Sequence, residues 1–213
     1  MQTSELIEKL SSELRPVDRR IVPHVMLAAL GIGTLLAVAT VCLAYGVSLD
    51  LDHSDDLGLL VLKLVFTGSI VLITFSALLK LARPGQANRM GVALVFVPFV
   101  VIALLAAPNL MSVPDAWRNG ATIGRAWPEC LLLIPAIATV PFALMIWALR
   151  KAAPTHLKRA GAVAGFLAGG VSASAYALSC RDASLAFVAC WYTSAIAICA
   201  VLGALLGPRL LRW

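Results

Sequence analysis

Six apolar runs, at residues 26–47, 58–80, 90–110, 128–149, 160–179 and 184–206, follow one another with only short polar connections between them. Each is close to the ~20 residues an α-helix needs to cross a bilayer. Inside lipid a chain must satisfy its own N–H and C=O groups, so runs of this length are predicted to be helical. The expected fold is all-α: a polytopic membrane protein with six transmembrane helices. Composition leaves little chain for a soluble domain, because 61% of residues are hydrophobic and only 13% are charged, about half the charged share of a soluble protein.

The basic residues fix an orientation. Of 17 Lys and Arg, 13 lie ahead of the first run, around the second and fourth connections, and after the last run. The positive-inside rule places both termini in the cytoplasm. The net charge of +6 then faces anionic headgroups, and no nucleic-acid partner is needed to account for it. The chain divides into a cytoplasmic segment 1–25, a transmembrane domain 26–207 and a cytoplasmic tail 208–213. The first run is too long for a signal-peptide core and lacks a convincing cleavage site, so it is expected to remain as an anchor.

Residues 1–23 form the one stretch that reads as water-soluble and structured. Thr3 or Ser4 can cap a helix, Glu5 and Glu8 suit its positive end, and Pro16 ends it. Leu6, Ile7, Leu10 and Leu14 recur at helical spacing, giving a short amphipathic helix. A helix of about 12 residues is marginal alone in water, so the stripe needs a surface. Lipid would repel Glu5, Glu8 and Glu13; a protein partner fits this mixed face better.

Other features are bland. The acidic connection Asp50, Asp52, His53, Asp55, Asp56 lacks the glycine turn and terminal glutamate of an EF-hand and reads as solvated. Lys63, inside run two, has a stem long enough to snorkel to the interface. Pro98, Pro135 and Pro141 invite kinks, while Gly161, Gly165 and Gly169, with Gly203 and Gly207, recur at steps of four and allow close helix packing. Trp117, Trp127, Trp147 and Trp213 fall near predicted interfaces and read as anchors.

The cysteines divide by position. Cys42, Cys190 and Cys199 lie within apolar runs and read as structural. Cys130 opens run four and Cys180 closes run five, each 25 residues from Thr155 in the connection between them. Equal spacing puts both thiols at similar depth on neighbouring antiparallel helices, toward the outer face. Thiolates bind soft and transition metals, so the pair is also a candidate site for a transiently bound metal. Whether the sulfurs come within disulfide range is not set by spacing.

The stretches PECLLLIPAIATVP, LRKAAP, AGAVAGFLAGG, YALSC and GPRLLRW, together with the six runs, resemble the NrsF-type integral-membrane anti-sigma factors. That resemblance implies a protein of the bacterial cytoplasmic membrane whose partner is an extracytoplasmic-function sigma factor, held inactive at the inner face. It implies that Cys130 and Cys180 are the family's sensing pair and that Leu6, Ile7, Leu10 and Leu14 contact the sigma factor. The expected function is stress-responsive transcription regulation, with release of the sigma factor on metal or oxidative challenge. No CxxC accompanies His24, so the zinc-clasped soluble sensor of other anti-sigma factors is not expected.

Neither a catalytic site nor a cofactor is expected. The rival readings are a membrane thiol oxidoreductase, which would need a closely spaced cysteine pair, and a small transporter, which would need paired polar groups within the spans.

Overall fold

The structure, a computed structural model, describes residues 21–46, 54–82, 93–111, 127–152, 154, 156–180 and 184–212. All regular structure among the described residues is helical. The helices are α1 (Ile21–Tyr45), α2 (Ser54–Leu81), α3 (Val97–Met111), α4 (Trp127–Arg150), α5 (Leu157–Ala177) and α6 (Leu185–Leu210). The amphipathic segment carrying Leu6, Ile7, Leu10 and Leu14 lies outside the described residues, as do Trp117 and Trp213.

Five of these helices are long and apolar enough to cross a membrane: α1, α2 from Leu57, α4, α5 and α6. Among the described residues the third run gives an apolar helix over Leu94–Pro108. Pro98 accounts for a local irregularity in it. Without an N–H it cannot bond back to Leu94, and the residues just before the α-helix, Leu94–Phe96, wind as a 3-10 turn instead. Helix α2 begins at Ser54, ahead of the run expected from residue 58, and takes in Asp55 and Asp56.

The centre of the bundle is α5, with 83% of its spanning window buried against 28% in α1 and α2. It packs most extensively on α6, then on α2, α4 and α1. Its Gly, Ala and Ser content explains this placement: small side chains let backbones approach from several sides. A Cβ at Gly161 would collide with the Gly203 carbonyl and lie 2.7 Å from the Gly207 Cα, and one at Gly165 would collide with the Cys199 carbonyl. The glycine steps are therefore the α5–α6 interface itself. On the other flank, a Cβ at Gly33 of α1 would sit 3.2 Å from Pro141 of α4.

The surrounding helices turn large apolar side chains outward, among them Leu43, Leu72, Leu132 and Leu205. Such a surface suits lipid. Buried hydroxyls bond back to their own helices, Thr67 Oγ1 to the Lys63 carbonyl at 2.9 Å and Thr74 Oγ1 to the Ile70 carbonyl at 2.6 Å.

Candidate functional site

The two ends of the bundle differ in chemistry. At one end lie the exposed side chains of Lys80, Arg150, Lys151, Lys158, Arg159, Arg209 and Arg212. Arg150 Nε donates to the Leu210 carbonyl at 2.7 Å, tying α4 to the last turn of α6, and the Lys151 ammonium sits 4.1 Å above the Trp147 ring. Trp127 marks the other end of α4, where its ring lies 5.2 Å from that of Trp191. Twenty residues separate Trp127 from Trp147, which is roughly 30 Å of helix and matches a hydrocarbon core.

The Trp127 end holds both predicted cysteines. Cys130 is in the first turn of α4 and wholly buried; Cys180 follows α5 and is half-buried. Both belong to one apolar cluster with Phe66, Ile102, Tyr176, Phe187 and Tyr192. All five cysteines, each among the described residues, are thiols and not disulfides.

Tyr192, at 0% exposure, interacts with both. Its phenol meets the Cys180 thiol, a weak hydrogen-bonding partner, and interacts electrostatically with Cys130 and Tyr176. The ring is wedged by shape, with Tyr176 at 6.2 Å and Phe187 at 6.4 Å between centroids. A π-helical turn, Val188–Tyr192, carries it inward. Such turns insert an extra residue into a helix and recur at functional sites.

Lys63 completes the cluster. It does not snorkel: its side chain is 3% exposed, and Nζ donates to the Cys180 carbonyl at 3.2 Å. Carbonyls at the end of a helix lack intrahelical donors and carry partial negative charge. The cation is therefore drawn to the α5 terminus at its own depth instead of to water.

The family profile described as "Negative regulator of sigma F" matches residues 10–213. The chain belongs to the NrsF family. Two curated relatives agree in extent. The "Probable anti-sigma-F factor NrsF" of Azospira oryzae is 30% identical over 213 residues, covering all of both chains. The "Anti-sigma-F factor NrsF" of Caulobacter vibrioides is 30% identical over 220 residues, again covering all of both. No solved structure matches the chain. The NrsF family is one of regulators, and its membership fits a helical bundle whose surface is largely apolar.

Within this NrsF-family chain the sequence singled out Cys130 and Cys180, and the fold brings them to one cluster. Tyr192 was missed because a tyrosine in an apolar run looks like packing. Lys63 was noticed, but its partner is 117 residues away in the chain. Of the cysteines read as structural, Cys199 is buried beneath Gly169, Cys42 is half-buried and Cys190 is exposed on the π turn.

Proposed function

We propose that this protein is a membrane-embedded anti-sigma factor of the cytoplasmic membrane, with both termini in the cytoplasm. It sequesters an extracytoplasmic-function sigma factor and releases it when Cys130 and Cys180 react with a metal ion or an oxidant at the outer face. The N-terminal stripe of Leu6, Ile7, Leu10 and Leu14 is the proposed contact with the sigma factor, as the family name and the amphipathic pattern suggest. The observation that carries the sensing half is the convergence of two thiols, 50 residues apart in sequence, on the same buried tyrosine. The orientation is supported by the separation of basic side chains to the end opposite that cluster.

The energetics are adequate. Reversing a 99:1 equilibrium takes about 5.5 kcal/mol of differential binding. One altered hydrogen bond supplies about 1 kcal/mol, whereas thiolate ligation of a metal contributes about 10 kcal/mol in structural zinc sites and a disulfide about 2–4 kcal/mol. Two thiols at the end of a close-packed bundle can therefore drive a switch with metal alone, or with a disulfide and help from repacked neighbours.

The test is a sigma-dependent reporter in cells carrying Cys130→Ser or Cys180→Ser. Loss of induction by metal or oxidant, with repression intact, is the expected result. Normal induction in both single variants would remove the cysteines from sensing while leaving the regulatory assignment standing.

A further inference from the structure

The two thiols are held in unlike ways. Cys130 stands inside α4, where the helix fixes its direction. Cys180 lies beyond Ala177, the last residue of α5, in a short turn whose N–H groups fall on the Ala175 and Tyr176 carbonyls at 3.0–3.2 Å. Two long-range hydrogen bonds tether that turn. Lys63 Nζ reaches the Cys180 carbonyl from α2 at 3.2 Å. Ser179 Oγ donates at 2.6 Å to the carbonyl of Gly46, the positive-φ residue that ends α1.

Tyr192 links the turn to the other cysteine: its buried phenol meets the Cys180 thiol and interacts electrostatically with Cys130.

We infer that Lys63 is a positioning residue of the cysteine site: by pinning the Cys180 carbonyl it holds the Cys180 thiol against Tyr192 in the cluster that contains Cys130, so that one thiophilic reagent engages both sulfurs. The inference rests on the two cysteines acting together, as proposed above. Two-point capture gains from having the second sulfur already in place, and a loose turn forfeits that gain. Ser179 is the weaker second tether, since its bond is exposed where that of Lys63 is part-buried.

Phenylarsine oxide is a suitable probe. Its arsenic–oxygen bond is exchanged for two arsenic–sulfur bonds, the oxygen leaves as water with the two thiol protons, and no atom changes oxidation state. Full-length protein in membranes is titrated with the arsenical, then unfolded in detergent and labelled with maleimide, and the unprotected fractions of Cys130 and Cys180 are read by mass spectrometry. In the native sequence both thiols become protected together. Lys63→Met requires about tenfold more arsenical, the loss expected of one hydrogen bond from a charged donor; Lys63→Arg, which keeps the donor, stays close to the native protein. Ser179→Ala lies between.

Maleimide labelling of each thiol without arsenical distinguishes a loosened turn from a collapsed fold, because unfolding would expose all five cysteines. Should Lys63→Met unfold, Lys63→Gln, which is neutral and shorter, takes its place. Native arsenical sensitivity in the folded neutral variant overturns the role of Lys63. Failure of the native protein to protect both cysteines together would instead overturn the paired-thiol reading on which it rests.

Discussion

Burying a hydroxyl without a strong partner costs about 1–3 kcal/mol, and the buried Tyr192 hydroxyl meets only a weak one, the Cys180 thiol. Its ring is retained by its neighbours Tyr176 and Phe187, so the hydroxyl is not what holds it. Tyr192→Phe is therefore expected to raise the thermal midpoint of the detergent-solubilised protein, by about 2–4 °C for each kcal/mol recovered. A lowered midpoint would mean that the thiol contact outweighs the cost of burying the hydroxyl. Gly46 makes a different demand. With φ of 72° and its N–H on the Cys42 carbonyl at 3.2 Å, it closes α1 in a left-handed cap, and Gly46→Ala is expected to cost about 1 kcal/mol, read as a lower midpoint in the same melt. The cysteines were legible at this scale because their spacing about Thr155 is a property of the chain. The lysine–carbonyl bond was not, since nothing local marks a backbone oxygen on another helix.

Helix α5 owes its central place to what it lacks. Along the face it turns to α6, the glycine positions leave no room even for a methyl group, and the close approach yields dispersion contacts that lipid cannot replace. Substitutions at glycine should thus have opposite signs by location. Gly165→Ala drives a methyl group into the Cys199 carbonyl and the Ala200 Cα, and is expected to cost about 1–3 kcal/mol as an overpacked contact. Gly31→Ala, in α1 with nothing within 4 Å, is expected to stabilise by about 0.5–1 kcal/mol, since glycine is the poorer helix former. Equal midpoint shifts for the two would contradict the packing described. The step-of-four glycines were visible in the sequence, but which helix they would meet was not.

The molecule as a whole is a bundle with a basic end and a thiol end about one bilayer apart. If the cysteines sense as proposed, their signal crosses that distance through packed helices, and α5, largely buried and followed three residues on by Cys180, is the continuous element between the two ends. In the full-length protein, Leu10→Asp is expected to abolish copurification of the sigma factor while leaving the melt unchanged; retained copurification would place the contact elsewhere. The sequence by itself determined the helical class, the approximate bounds of the apolar runs and the family resemblance, because hydropathy and motif are written along one chain. Only the tertiary structure decided that α5 is central, that the third run carries a 3-10 turn ahead of Pro98, and that Lys63 and Tyr192 meet the cysteines. Those outcomes depend on which helix faces meet, and the energy of a close approach or a buried hydrogen bond belongs to pairs of residues that no local pattern joins.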